Sequence, residues 1–238
     1  NKKIKLLQRK GYEVKNFISI VSNDNNTDTI VYTSKEFQPM VETFSSKYSF
    51  VGPSVSKLII EPKERKRKLI YISLGTINNK NVSFYKNCIN AFKDSDVDVI
   101  MSVGRSTNIK SLGNIPNNFE VKNSVEQIAI LQKTDVFVTH SGMNSVNESL
   151  YYGVPMVLFP QHSEQRMVAK RVVHLGAGIM LKEDKSESIK KAVFQVINDN
   201  EYKENATKLS KSFYNAGGSK KAADVILQII CNSRQVDI

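Results

Sequence analysis

The run VFVTHSGMNSVNESLYYGVPMVLFPQHSEQ, Val136 to Gln165, sets a group of polar side chains between two apolar segments. VFVT reads as a buried strand ending at Thr139, and a helix is expected from about Asn144 to Tyr152. His140, Ser141, Gly142, Asn144 and Ser145 therefore fall between a strand C-terminus and a helix N-terminus. Such a place offers unsatisfied backbone N–H groups and the positive end of a helix dipole, which suits an anion. Gly142 allows close backbone approach, Ser145 adds a hydroxyl donor, and His140 adds a donor whose charge can be tuned. Glu148 lies one turn into the helix, too far along to oppose a phosphate, where it can accept hydrogen bonds from paired hydroxyls such as those of a ribose. The plainer reading is that Ser141, Asn144 and Ser145 cap the helix. One capping residue would be ordinary, but a His, a Gly, two Ser and an Asn exceed what capping needs.

Two further strand ends carry related chemistry. LIYISLGT puts Ser73, Gly75 and Thr76 where the first strand of the C-terminal part enters its loop, with room for a diphosphate, although SLGT alone also reads as an ordinary turn. LFPQHSEQ puts Glu164 and Gln165 just past Pro160. A carboxylate beside a carboxamide suits sugar hydroxyls, and it equally suits the first turn of a helix with no ligand at all. From the residues alone both readings stand.

Parallel strands are the elements able to bring these ends together. From Lys68 onward, apolar runs (LIYISLG, VDVIMSVG, FEVK, VFVT, PMVLF, GIMLK) alternate with helical periodicity. Helices are expected through Asn87 to Phe92, around Val125 to Leu131, from about Asn144 to Tyr152, from Glu164 to Leu175, and in three segments running to the C-terminus. Continuous apolar strands separated by helices imply a parallel sheet covered on both faces, a doubly wound α/β domain that binds its ligand at the carboxyl ends of the strands. Residues 1–56 differ. FISIV, the polar tract SNDNNTDT, the strand-like IVYTS and FVGPS make a segment too short and polar to bury its own core, so it is expected to lean on something.

Composition sets the outer bounds. The 238 residues are 40% hydrophobic and 24% charged, which fits a soluble globular chain with one large domain and an appendage. No apolar run approaches the roughly 18 residues a membrane span requires. The opening NKKIKLLQRKGYEV has no signal-peptide core, and a start at Asn1 rather than Met suggests a fragment of a longer protein. Cys88 and Cys231 fit no metal spacing and read as reduced thiols, which points to a cytoplasm. The net charge of +11 is not evenly spread, and KERKRK, Lys63 to Lys68, supplies a dense block of it. That block could attract nucleic acid or an anionic membrane, but no aromatic or recognition-helix signal accompanies it, and a solvated linker before a strand is the favoured reading. A basic chain also focuses an anionic small molecule such as a nucleotide.

Three short motifs are decoys. DSD (Asp94 to Asp96) imitates a metal-binding Asp-x-Asp but lies before a strand, away from the expected ligand end. DNNTD (Asp24 to Asp28) imitates a calcium loop but has Thr29 where Gly is needed and Lys35 where Glu is needed. GAG (Gly176 to Gly178) follows a helix rather than a strand.

The residues from about Phe119 to Gln165 resemble the donor-binding signature of the inverting family 1 glycosyltransferases, most closely the bacterial macrolide-type UDP-glycosyltransferases. The resemblance rests on Gln127, His140, Gly142, Asn144, Ser145, Glu148, the Gly-Val-Pro at Gly153 to Pro155, and Glu164-Gln165. VYTSKEFQP and FVGPS extend it back to about Ile30. It implies one half of a two-Rossmann-domain (GT-B) hexosyltransferase, with residues 1–56 the remnant of an N-terminal acceptor domain plus linker and residues 57–238 the donor domain. By the same resemblance His140, Gly142, Asn144, Ser145, Gly75 and Thr76 would hold the diphosphate and Glu148 the ribose. Ser124, Val125, Gln127 and Val103 would lie at the base, and Glu164 and Gln165 at the sugar. Glu126 replaces the family's Pro before Gln127, and Ser124 stands where plant members place a Trp.

The activity so implied is transfer of a sugar from a UDP-glucose-type donor to a hydroxyl of a small-molecule acceptor, with no cofactor and no metal. The family's general base belongs to the missing domain. His162 sits at a variable signature position and His174 reads as structural, so no catalytic base is assigned in this chain. Two alternatives stand beside this reading: a donor-binding subunit that needs a separate acceptor-binding protein, and a basic nucleic-acid-binding α/β protein.

Overall fold

The computed structural model describes residues 2–12, 14, 27–55, 65–76 and 79–234. Among the described residues the strands are β1 (Thr29–Val31), β2 (Tyr48–Phe50), β3 (Lys68–Ser73), β4 (Val97–Ser102), β5 (Phe119–Lys122), β6 (Val136–Thr139), β7 (Met156–Leu158) and β8 (Gly178–Met180). The α-helices are α1 (Lys2–Arg9), α2 (Val82–Phe92), α3 (Gln127–Leu131), α4 (Met143–Tyr151), α5 (Ser163–His174), α6 (Ser186–Asn198), α7 (Asn200–Ala216) and α8 (Gly218–Arg234).

Strands β3 to β8 form one six-stranded sheet in the order β5-β4-β3-β6-β7-β8, and every pairing is parallel. The doubly wound sheet expected from the alternation of apolar runs and helical segments is therefore present. Successive strand residues point to opposite faces. Ile70 and Ile72 pack with Phe84, Cys88 and Phe92 of α2 and with Val193 and Val196 of α6. Leu69 and Tyr71 pack on the other face with Leu150 of α4, Val172 of α5 and Phe213 of α7. Both faces are thus covered, which is why β6 and β7 are buried at every position. β5 is an edge strand, and its alternating exposure shows it.

The chain leaves β3 toward β4 and β5, then returns to the other side of β3 as β6. Neighbouring connections therefore diverge between β3 and β6, and the strand ends open a crevice there. Register puts Ser73 level with Thr139 and with Ser102, so the loops after β3, β4 and β6 start at one height.

The N-terminal segment does lean on the larger domain. β1 and β2 pair in parallel, Thr29 with Tyr48 and Val31 with Phe50. Val51 is wholly buried against Ala222 and Val225 of α8. Phe37 meets Phe213 edge-on at 5.9 Å, and Asn147 of α4 donates to the Tyr32 carbonyl at 3.2 Å. Arg171 of α5 donates to the carbonyls of Phe37 (2.6 Å) and Glu36 (2.7 Å). FISIV, the calcium-loop imitation at residues 24–26, Lys63, Glu64 and the expected boundary after residue 56 lie outside the described residues.

Much of the basic block is neutralised. Arg65 and Lys68 each reach Asp135 at 3.1 Å, and Arg67 reaches Asp96 at 2.8 Å. Asp96 of the DSD motif thus serves as an ion-pair partner at the amino end of the sheet. Cys88 is buried, Cys231 is exposed, and both are free thiols. Among the described residues no helix is long and apolar enough to cross a membrane.

Candidate functional site

The sharp turn between β6 and α4 sets the local geometry. Ser141 takes a left-handed conformation (φ 69°), rare for a residue with a side chain and costing of order 1–3 kcal/mol. Its N–H donates to Thr139 Oγ1 at 3.3 Å, its side chain is fully buried, and its hydroxyl finds no partner among the described residues. This turn sends the chain straight from a central strand into α4. The helix N-cap is Gly142, and no side chain caps it. The capping reading of Ser141, Asn144 and Ser145 therefore fails, and the first N–H groups of α4 are left for something else.

His140 stands beside that helix end. A Cβ built on Gly142 would lie 2.5 Å from its Nε2, and a Cβ on Gly75 would lie 2.6 Å from its Cε1. The imidazole is thus held between two glycines from different loops, and Gly75 also needs its positive φ of 79°. Thr139 Oγ1 lies 3.5 Å from Nδ1. Burial lowers the His140 pKa, and the nearby His162 charge lowers it further. A half-buried neutral imidazole results, able to donate to an anion and to gain a proton when one arrives.

One turn into α4, Glu148 is half-buried at the cavity floor. Gln127 Nε2, at the start of α3, donates to Glu148 Oε2 at 2.5 Å and to Ser145 Oγ at 3.3 Å. Gln127 Oε1 in turn accepts from the Tyr71 hydroxyl at 3.0 Å. Burial raises the Glu148 pKa, the Gln127 hydrogen bond opposes it, and the charge of Glu126 adds to the rise.

These groups share a cavity of about 940 Å³ at the carboxyl ends of the strands. Its wall brings together Gly75, Thr76, Ser124, Val125, Gln127, His140, Gly142, Asn144, Ser145, Glu148, Glu164 and Gln165, from four separate loops. Gln165 is held by its Oε1, which accepts the Gln161 N–H at 2.9 Å, while Glu164 is exposed at the mouth.

Val103 is the correction. It is wholly buried in the core with Met101, because alternation along the β4 extension turns both side chains into the α2 side of the sheet. Its neighbours Ser102 and Gly104 reach the cavity instead. His174 also differs from expectation. It is exposed, at the far end of α5 from Glu164, rather than a buried structural residue.

Sequence reasoning missed Tyr71, Asn79, Arg105 and Asn123, which also line the cavity. Asn123 ties two loops together, donating to the carbonyls of Gly104 (2.8 Å) and Thr107 (2.7 Å). Ser102 and Asn123 stand at or just after strand C-termini, a position that topology alone could have flagged. Among the described residues, no group of three or more His, Cys, Asp or Glu is placed to hold a metal ion.

Comparison with known proteins bears on this site. The family model described as UDP-glucoronosyl and UDP-glucosyl transferase matches residues 33–215. The uncharacterized UDP-glucosyltransferase YojK of Bacillus subtilis (strain 168) is 40% identical over 214 residues, covering 87% of this chain and 53% of that protein. Demethyllactenocin mycarosyltransferase of Streptomyces fradiae is 30% identical over 203 residues, covering 83% of this chain and 44% of that protein. Among solved structures, the calicheamicin glycosyltransferase CalG4 superposes with a TM-score of 0.85 at 28% identity, over 97% of this chain and 60% of that one. The chain spans about half the length of the curated relatives it matches.

Proposed function

The chain belongs to the UDP-glucoronosyl and UDP-glucosyl transferase family, and on that premise we propose that it is the donor-binding half of an inverting glycosyltransferase. Its donor is a uridine-diphosphate sugar of the UDP-glucose type, and the sugar passes to a hydroxyl of a small-molecule acceptor. The observation that carries this reading is the uncapped α4 N-terminus beside His140, with Glu148 one turn further along the same cavity wall.

The roles follow from spacing and charge. The diphosphate lies at the first amides of α4, with His140, Gly142, Asn144 and Ser145 on one side and Gly75 and Thr76 on the other. Glu148 accepts from the ribose hydroxyls. Ser124, Val125 and Gln127 border the base, and Glu164 and Gln165 meet the sugar at the mouth. When the glycosidic bond breaks, negative charge grows on the leaving diphosphate, and pre-aimed N–H groups stabilise it there. The helix N-terminus and His140 supply the positive end that a magnesium ion supplies elsewhere, so binding needs no metal.

The acceptor pocket and the base that deprotonates the acceptor lie in an N-terminal domain of which residues 1–56 are the end. Calorimetry of UDP binding to the purified chain, with and without EDTA, tests the reading. Equal binding in both supports it. Binding only with added magnesium, or none at all, overturns it.

A further inference from the structure

The cavity floor contains a hydrogen-bonded chain whose members come from three elements. Tyr71 on β3 donates its hydroxyl proton to Gln127 Oε1 (3.0 Å), and Gln127 Nε2 donates to Glu148 Oε2 (2.5 Å) and Ser145 Oγ (3.3 Å), both on α4. Chemistry settles which way the carboxamide faces. An ionised carboxylate can only accept, so the amide nitrogen must face Glu148, and the amide oxygen is then left to take a proton from Tyr71. Removing the tyrosine hydroxyl would leave the amide oxygen without this donor and free the carboxamide to swing away from Glu148.

Tyr71 is suited to fix that orientation. Only 1% of its surface is exposed, and its ring stacks on Phe137 of β6 at 4.7 Å and 13°. Both strands are central in the sheet. The hydroxyl is therefore anchored at the buried centre of the sheet, whereas Gln127 and Glu148 are only partly buried. Burial keeps the phenol protonated across the neutral range, with the Ser73 and Ser102 hydroxyls opposing that shift only in part.

We propose that Tyr71 is a positioning residue for ribose recognition: its hydroxyl locks the Gln127 carboxamide, which holds the Glu148 carboxylate where a nucleotide ribose meets it. The inference rests on the reading of Glu148 as the ribose ligand. Tyr71 acts here through Gln127 and Glu148. It also explains why a buried strand residue carries a hydroxyl that phenylalanine would lack, at a place where core packing alone would accept either.

The test is calorimetric affinity for UDP and for 2′-deoxy-UDP, measured on the full chain and on Tyr71→Phe, Glu148→Ala and the double variant. Thermal melting confirms that each is folded, and Gln127→Met removes the same link from its other end should Tyr71→Phe not fold. Tyr71→Phe is expected to weaken UDP about threefold to tenfold. It should weaken 2′-deoxy-UDP less, and it should add nothing in the Glu148→Ala background. Glu148→Ala weakening UDP while Tyr71→Phe and Gln127→Met bind it like the parent would overturn the positioning role and leave the ribose reading intact. Unchanged UDP binding by Glu148→Ala would remove the ribose reading and this inference with it. Equal losses for both nucleotides, persisting without Glu148, would show that Tyr71 acts through the fold and would also overturn it.

Discussion

A Cβ on Gly142 would stand 2.5 Å from Nε2 of His140, so the ring occupies space that every other residue type would fill. Gly142 itself has an ordinary φ of −63°, compatible with alanine. Gly142→Ala should therefore do harm only through His140. It should displace the imidazole and weaken UDP binding by at least about tenfold, a loss of roughly 1.4 kcal/mol. In a His140→Ala background the same substitution should cost almost nothing more. Gly75→Ala meets the ring too, and its φ of 79° adds about 1–2 kcal/mol of strain. Chemical denaturation should show Gly75→Ala as the less stable of the two.

The depressed His140 pKa has two consequences with opposite signs. The folded chain binds fewer protons at this site than the unfolded chain, so its contribution to stability is present above pH of about 6.5 and is lost as pH falls below that. A bound diphosphate favours the imidazolium, so donor binding takes up a proton. Affinity for UDP-glucose, whose diphosphate does not titrate in this range, should rise as pH falls from about 8 to about 6. His140→Gln should flatten that rise, which calorimetry in buffers of different ionisation enthalpy would detect.

Glu148→Ala should weaken UDP by about 1.5–3 kcal/mol, the range for hydrogen bonds to a charged group. Glu148→Gln should lose less, because the amide keeps one acceptor. Equal affinity of parent, Ala and Gln chains would reduce Glu148 to a helix residue that happens to face the cavity.

The chain alone should transfer sugar poorly. A positioned base contributes about 10²–10⁴-fold, and holding the acceptor in place contributes more. Slow hydrolysis of UDP-glucose is the expected limit, with phenolic and macrolide hydroxyls left unglycosylated in a product assay. An N-terminal domain supplied as a second polypeptide should restore transfer. Rapid glycoside formation by the chain alone would send the search for a base to His140, His162 and the cavity carboxylates.

The sequence revealed the sheet and most of the cavity for one physical reason. In a doubly wound fold the residues after each strand face one crevice, so His140, Gly75 and Glu164 could be placed together from periodicity and spacing. Contacts set by register were not legible. Tyr71 meets Gln127 only because β3 sits at the sheet centre, and Asn123 bridges to Gly104 only because β4 and β5 pair in register. Val103 was placed at the base by the resemblance alone, and alternation along the β4 extension turns its side chain into the core instead. The left-handed Ser141 was also hidden, since serine does not announce positive φ as glycine does. Its strain, and a hydroxyl without a partner among the described residues, emerge only from the turn that aims α4.

The most direct measurement is a crystal structure of the chain soaked with UDP-glucose in EDTA. The account requires the diphosphate against the first amides of α4 and the His140 ring, the ribose hydroxyls on Glu148, and the glucose beside Glu164 and Gln165. A nucleotide bound elsewhere, or one whose phosphates avoid α4 while the base takes their place, would contradict it.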